Sequence, residues 1–356
     1  MKKKVSVQEI ARLANVSPAT VSNALNNKPG VSERTRSRIK SIAQELGYKK
    51  SRERNKHAAV RIIIYKRSGL VVADTPFFAY LIEGLHQQCR AAKLEMLMTH
   101  ITRDEGDYLS QIAEIEQDGV LGYVILATEM LDKDFALFKD LRQPVVFLDS
   151  CFPYENQDFV LINNIQGAYI ATKHLIDEGH EQIGYLQSSV YINNFGEREQ
   201  GFVQALMNHN LAVDRSLWYQ LEPTLDGAYR DMQAVLARGN YKLPTSFFAD
   251  NDIIAFGAMS ALKEFGIRIP QDVSIVGFDD MPYCEISDPK LTTIHVNKQQ
   301  LGAAAVKRLV EKINDCKTTQ KVAVNVDLVK RHSVMNRQSF SMQGAGNKMQ
   351  EAKSIR

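Results

Sequence analysis

Over most of the chain, short runs of adjacent apolar residues alternate with stretches in which apolar residues return every three or four positions. The runs at 61–65, 95–99, 122–126, 145–149, 182–187, 246–250 and 274–278 predict buried strands. Between them, 80–92 and 168–178 are patterned as amphipathic helices. The alternation predicts an α/β body of parallel sheets with helices on both faces, and so many units predict two sheets rather than one. Residues 6–47 follow a different rule, with three short helical patterns and no strand between them.

In that head, Ser6 and Glu9 form a capping box ahead of an apolar face made of Val7, Ile10, Leu13 and Ala14. Asn15 and Val16 break the pattern. Ser17 caps a second helix whose first residue, Pro18, has no N–H to lose, and Val21, Ala24 and Leu25 point inward from it. After a turn-like stretch at 26–30, Ser32 caps a third helix with Ile39, Ile42, Ala43 and Leu46 on its apolar face, and Gly47 ends it. Two short helices joined by a tight turn and buttressed by a third make a helix-turn-helix. The start of its second helix would face the major groove. There Asn23 can bond an adenine edge and Ala19 can meet a thymine methyl. Thr20, Ser22 and Asn26 suit phosphate oxygens, and Ser17 and Pro18 complete the exposed helix start.

Charge supports a split between head and body. Residues 1–60 carry 14 Lys or Arg against 4 Asp or Glu, whereas the remaining residues carry 30 against 37. A basic head on a mildly acidic body fits a head that meets a polyanion and a body that does not. No apolar run reaches the ~20 residues of a membrane helix, and polar Ser6, Gln8 and Glu9 stand where a signal peptide would be apolar. A cytoplasmic protein without a membrane partner is expected. Cys89, Cys151, Cys284 and Cys316 are far apart with no CxxC pair, so they are expected to be buried free thiols rather than zinc ligands or disulfides.

In parallel sheets of this kind ligands bind beyond the carboxyl ends of the strands. Asp149 ends VVFLDS, Arg198 lies in GEREQGF, Asn251 in FADNDIIAFGAM and Asp279 in VSIVGFDD, while Phe77 and Phe78 follow Pro76 after the first strand. Carboxylates, an amide and a guanidinium can hold several hydroxyls in a fixed pattern, and an aromatic face can pack on the C–H surface of a ring. That set suits a sugar or a similar polar small molecule. No GxSxG elbow, P-loop or GxGxxG is present, and HEQIG lacks the second His of a zinc protease. His174 and His180, six apart, are expected to be structural. No catalytic residue, metal or cofactor is expected.

The stretch VSVQEIARLANVSPATVSNALNNKPGVSERTRSRIKSIAQELGY resembles, throughout and without gaps, the DNA-binding head of the lactose/galactose repressor family. VSPATVS, the LN that follows and LGY are its most specific parts. Residues 60 to about 334 resemble the family's effector-binding body, which has the fold of periplasmic sugar-binding proteins. The resemblance is strongest in VSIVGFDDMPYCEISDPKLTTIHVNKQQLGAAAVKRLV and NNIQGAYIATKHLIDEGHEQIGYL.

The resemblance implies a helix-turn-helix domain over 1–48, a basic linker over 49–60 and an effector-binding body over 61–334. The first subdomain would span about 61–163 and 295–324, and the second about 164–292 and 327–334. The chain would cross between them near 163–166, 292–295 and 324–327. By position, Asp149, Arg198, Asn251 and Asp279 match residues that hold the effector in family members, and Pro76 to Phe78 match the lip of the cleft. An aromatic contributed by relatives near 221–224 is replaced at about that point by Pro223. The implied function is a sequence-specific repressor of a carbohydrate-utilisation operon, controlled by a sugar or sugar derivative. It would bind a near-palindromic operator as a homodimer. The alternatives are a nucleobase or other non-sugar effector, or a sugar-binding protein with no regulatory role. The tail over 335–356 has no Leu heptad and is expected to be disordered.

One segment departs from the family. Relatives place a Pro and a short helix carrying a Leu after LGY, and that Leu wedges into the minor groove. The twelve residues 49–60 hold neither Pro nor Leu, so no such wedge is expected. Arg52, Arg54 and Lys56 remain as candidate phosphate or minor-groove contacts. Replacing these three with Ala is expected to flatten the dependence of DNA affinity on salt, by about 0.9 in log–log slope for each phosphate that is no longer neutralised. A salt titration of operator binding measures this.

Overall fold

In a computed structural model the described residues are 7–25, 30–46, 58–72, 76–103, 107–115 and 119–337. They fall into two compact units that divide between Ala58 and Ala59. The first holds three helices, α1 (Val7–Ala14), α2 (Pro18–Leu25) and α3 (Glu33–Glu45). The Ser17 and Ser32 side chains accept from the N–H groups of Thr20 and Thr35, as their cap positions require. The shared core is Ile10, Ala11, Ala14, Val21, Ala24, Ile39 and Ala43. Leu13, expected inside, is 46% exposed, and Ala11 takes the inner position instead. With only eight residues, α1 turns a narrow face inward, and the small side chain lets three helices approach closely. Buried Arg36 ties α3 to the carbonyls of Ala24 and Val31. Ser6 lies outside the described residues.

The second unit runs β1 (Ala58–Lys66), α4 (Pro76–Ala91), β2 (Leu94–Thr102), α5 (Tyr108–Ile115), β3 (Tyr123–Leu126), α6 (Asp132–Phe135), β4 (Val145–Leu148) and β5 (Asp158–Ile162). It continues through α7 (Asn164–Asp177), β6 (Ile183–Ser188), α8 (Asn193–Asn208), β7 (Trp218–Leu221), α9 (Leu225–Ala237), β8 (Ser246–Ala249), α10 (Asp252–Glu264) and β9 (Ser274–Asp279). β10 (Thr292–His295), α11 (Lys298–Ile313), β11 (Lys321–Val324) and β12 (Asp327–Val329) complete it. The strands form two six-stranded sheets, ordered β11-β5-β4-β3-β1-β2 and β12-β10-β9-β8-β6-β7. Parallel pairing dominates, with registers such as Ile62 to Val124 and Phe247 to Ile275. The second sheet is not wholly parallel, because β12 returns beside β10 in the antiparallel sense.

The chain passes between the two sheets three times. It leaves the first after β5, re-enters it after β10, and leaves it finally between β11 and β12. The second passage follows at 296–297, because 292–295 is itself a strand of the second sheet. The first and third passages touch: Asn163 N–H donates to the Val324 carbonyl at 3.0 Å, and its amide to Asn325 Oδ1 at 3.3 Å. Ala58 to Val60, read from sequence as linker, already belong to β1. Residues 335–337, read as tail, pack on the body, where the Met335 carbonyl faces a His180 ring nitrogen and Arg337 N–H donates to the Glu178 carbonyl. The rest of the tail lies outside the described residues. Cys89 and Cys284 are buried, whereas Cys151 and Cys316 are only half-buried; all four are free thiols.

Helices pack on these sheets in close pairs that need glycine at the contact. A Cβ on Gly84 of α4 would lie 2.1 Å from the Gln299 carbonyl oxygen, and one on Gly302 of α11 would lie 2.4 Å from that of Leu81. This approach fixes α4, whose first turn carries Phe77 and Phe78. Gly84→Ala is therefore expected to lower stability by about 1–3 kcal/mol, the range for overpacking a close contact. Gly119→Ala, with nothing within 4 Å of the added Cβ, should be near neutral in the same urea titration.

Candidate functional site

A cavity of about 470 Å³ opens beyond the carboxyl ends of both sheets, the position at which ligands enter parallel α/β folds. The first sheet contributes Gly69, Leu70 and Val71 after β1, Phe77 and Phe78 on α4, Thr128 after β3 and Asp149 after β4. The second contributes Ile192, Asn194, Phe195 and Arg198 around the start of α8, 223–226 after β7, Asn251 and Ile253 after β8, and Asp279 at the end of β9. Phe77, Phe78, Asp149, Arg198, Asn251 and Asp279 thus meet at one cavity. Pro76 does not line it; this residue opens α4 at a position where no N–H is needed.

Arg198 lies at the centre of the second lobe's wall and is 3% exposed. Its Nε donates to Asn164 Oδ1 at 3.0 Å, Nη1 to the Asp250 carbonyl at 2.6 Å, and Nη2 to Asp279 Oδ1 at 3.2 Å. The Phe278 ring lies 3.7 Å below the guanidinium carbon, a cation–π contact made stronger by desolvation. Three of its five N–H groups are thereby spent on positioning. Asn164 opens α7 immediately after the first inter-lobe passage, so the guanidinium is tied directly to the hinge.

Asp149 has a left-handed backbone (φ 64°) and a fully enclosed side chain. It accepts from the Thr128 hydroxyl at 2.6 Å and from the Asn194 amide at 3.0 Å. Asn194 belongs to the second lobe, and beside it Asn193 donates to Ser150 Oγ and the Cys151 carbonyl, both at 3.1 Å. Asp149 is therefore a bridge between lobes as well as a cavity wall. Burial pushes its carboxyl up to about 7, against the opposing pull of Thr128 and Arg198. Burial likewise raises Asp250 to about 7 and Asp279 above its ordinary range. Asp250 is held by the Tyr185 hydroxyl and by Ser188 N–H.

Asn251 caps α10, accepting Ile254 N–H at 2.9 Å, which leaves its amide Nδ2 to donate. Asp279 has φ 110°, and its carbonyl receives the buried Lys298 ammonium. Pro223 lines the cavity together with Thr224 and Leu225, where relatives are expected to place an aromatic ring.

In the head, Ser17, Pro18, Ala19 and Ser22 are exposed and Thr20 and Asn23 half-buried along the start of α2. The hydroxyls of Ser17 and Thr20 lie 2.8 Å apart. Asn26, Arg52, Arg54 and Lys56 lie outside the described residues. His180 is a buried link between Thr245 Oγ1 and the Met335 carbonyl, and His174 faces Glu178. Sequence reasoning missed Thr128, Asn194, Phe195, Thr224 and Asp226. Thr128 and Thr224 follow strand ends, so the rule that found Asp149 would have found them. Asn194 and Phe195 lie in a helix start, where their direction depends on packing.

Residues 6–51 match the family described as bacterial regulatory proteins, lacI family, and residues 172–334 match the periplasmic binding protein-like domain. The HTH-type transcriptional repressor PurR of Mannheimia succiniciproducens is 31% identical over 92% of this chain and 98% of its own length. Its namesake from Klebsiella pneumoniae strain 342 is 31% identical over 92% and 96%. Among solved structures, the lac repressor dimer bound to operator and the anti-inducer ONPF covers 94% of this chain and 100% of its own, with a TM-score of 0.71 at 22% identity. The CelR–cellobiose complex covers 92% and 99%, with a TM-score of 0.70 at 24% identity. A LacI family regulator from Enterococcus faecium with bound ribose covers 78% and 99%, with a TM-score of 0.66 at 27% identity.

The raised carboxyl of Asp149 makes a stability prediction. Between about pH 4 and 7 the folded protein keeps a proton there that the unfolded chain has released, so this group withdraws stability as pH rises through that window. Asp250 and Asp252 act in the same direction. His180, pushed by burial down to about 4, acts in the opposite one, so a difference measurement is needed. Asp149→Asn can retain both partners, because the Thr128 hydroxyl can accept as well as donate. Urea titrations at pH 5 and 7.5 are expected to show a smaller loss of stability in this variant than in wild type.

Proposed function

The chain belongs to the lacI family of bacterial regulatory proteins, and we propose that its effector is a neutral, hydroxyl-rich molecule of the sugar class. Members of this family bind operator DNA and a small-molecule effector; this chain is a DNA-binding transcriptional repressor with a ligand-binding body. The observation that carries the effector reading is the charge of the cavity. Asp226 and Asp279, together with Asp149, whose carboxyl is only partly ionised at neutral pH, line it against a single guanidinium, Arg198, which is already paired with Asp279. An anionic ligand such as a sugar phosphate would be brought to carboxylates with no unspent cation to meet it. Hydroxyl groups can donate to these carboxylates and accept from Arg198 and Asn251, while Leu70, Val71, Phe77, Phe78 and Ile192 cover C–H surface.

The nucleobase reading has a specific support of its own. Phe77, Phe78 and Phe195 give the cavity flat apolar faces, and the relatives of Mannheimia and Klebsiella carry the name PurR. Against it stands the acidic lining: the carboxyl oxygens of Asp149, Asp226 and Asp279 outnumber the few N–H donors that a purine offers. A repressor with one short reading helix per chain contacts few base pairs, so a homodimer on a near-palindromic operator completes the reading. The regulated genes would belong to carbohydrate use, and the protein would act in the cytoplasm. Ser17, Pro18, Ala19, Thr20, Ser22, Asn23 and Asn26 are the head's DNA contacts in this reading, and Arg52, Arg54 and Lys56 add charge.

A thermal-shift panel tests it with ribose, cellobiose, ribose 5-phosphate and hypoxanthine. A neutral sugar is expected to raise the melting temperature, with about 2.7 kcal/mol of stabilisation at a hundredfold excess over Kd. Asp279→Ala should lose most of that shift. A shift with hypoxanthine alone would overturn the sugar reading in favour of the base, and a shift with the phosphate alone would overturn the charge argument.

A further inference from the structure

Gly69, Leu70 and Val71 form a wall of the cavity that belongs to no helix or strand. What holds this wall is a carboxylate behind it. Glu129 Oε2 accepts the backbone N–H groups of Arg67, Ser68 and Gly69, each at 2.8 Å. Glu129 Oε1 accepts those of Val71 and Val72, each at 3.0 Å. The remaining N–H, of Leu70, donates to Ser68 Oγ at 3.2 Å. Six consecutive backbone donors are thus met by side-chain oxygens, five of them by one residue.

Glu129 is 2% exposed, does not line the cavity, and among the described residues has no ion-pair partner. Its charge is met chiefly by backbone dipoles, with the Ser68 hydroxyl more distant at 3.5 Å, in a concave nest of N–H groups made possible by Gly69 at φ 75°. An apolar side chain in its place would leave the N–H groups of Arg67, Ser68, Gly69, Val71 and Val72 without these acceptors. Burial alone would push this carboxyl up, but the bonds from Gly69, Val72, Ser68 and Val71 bring it below its ordinary range, so it is ionised at neutral pH. The preceding residue, Thr128, holds Asp149 from the same strand end.

We propose that Glu129 is a positioning residue of the effector cavity: without touching the ligand, it folds residues 67–72 into the wall that the ligand meets. The inference rests on reading this cavity as the effector site, but its first measurement needs no effector. Amide hydrogen exchange of the full-length protein should show 67–72 protected in wild type. In Glu129→Ala exchange there should be faster by about tenfold or more, with β3 and β4 unchanged. Formate, small enough to enter the space vacated by the side chain, should restore protection in Glu129→Ala, whereas chloride at equal ionic strength should not. Glu129→Gln, which turns an amide donor toward N–H donors, should stay unprotected with formate present.

Any of ribose, cellobiose or hypoxanthine that raises the wild-type melting temperature should lose most of its shift in Glu129→Ala and regain it with formate. Unchanged protection of 67–72 in Glu129→Ala would overturn the proposal. So would an undiminished ligand shift alongside rapid exchange, or loss of protection across the whole first sheet that formate does not reverse. Failure of all three probes on wild type would instead count against the sugar and nucleobase readings, leaving the exchange result to decide the role of Glu129.

Discussion

Half of the cleft depends on one buried guanidinium. Arg198 is enclosed by Phe278 and held by Asn164, the Asp250 carbonyl and Asp279. Around it lie more carboxylates than it can neutralise: Asp149 and Asp250 rise toward neutrality through burial, and Glu197 is raised as well. Removing the cation would leave several buried acids without their shared partner, a change that typically costs about 3–5 kcal/mol for one pair alone. The same side chain that lines the cavity is thus the keystone of the lobe. This is why Arg198, Asn164 and the first inter-lobe passage form a continuous chain from cavity to hinge.

The first lobe solves its half of the problem without a cation. Glu129 is surrounded by backbone N–H groups and Asp149 by a hydroxyl and an amide. The contrast follows from where each carboxylate lies. A loop that has no ladder partner must place its donors somewhere, and a single acid at the end of β3 accepts five of them. Asp149 cannot use that device, because its neighbours across the cleft belong to the other lobe.

How much of this was legible in the sequence follows from the range of each interaction. The strands and helices that fill the body announced themselves by period, since burial on both faces leaves continuous apolar runs. The short strands at 321–324 and 327–329 did not, because the first is an exposed sheet edge and the second returns antiparallel at the edge of the other sheet. Asp149, Arg198, Asn251 and Asp279 were visible as polar residues at strand ends or inside a specific motif. Glu129 was not, although it too follows a strand end: nothing in ATEM distinguishes an acid that binds solvent from one that gathers a distant loop 57 to 62 residues earlier in the chain. Leu13 failed for a different reason: the helical repeat from Ile10 runs on to Ala11 and Ala14, which leaves Leu13 off the inward face.

The placement of the lobe contacts constrains how an effector can act. Asn193 and Asn194 already join the second lobe to Ser150, Cys151 and Asp149 of the first, beside the cavity rather than at the hinge. A ligand changes the balance of lobe arrangements only through the difference in its affinity for them. A molecule that bonds Asp149 in place of Asn194 exchanges one hydrogen bond for another and gains little selectivity. A molecule that leaves the Asn194 bond intact and spans from Leu70 and Phe77 to Asp279 adds contacts that exist only when both walls are present. Moving a one-to-ninety-nine equilibrium to its inverse needs about 5.5 kcal/mol of such differential binding. Within this cavity that demand is met most readily by contacts shared between the lobes, and therefore by a first-lobe wall held rigid before the ligand arrives.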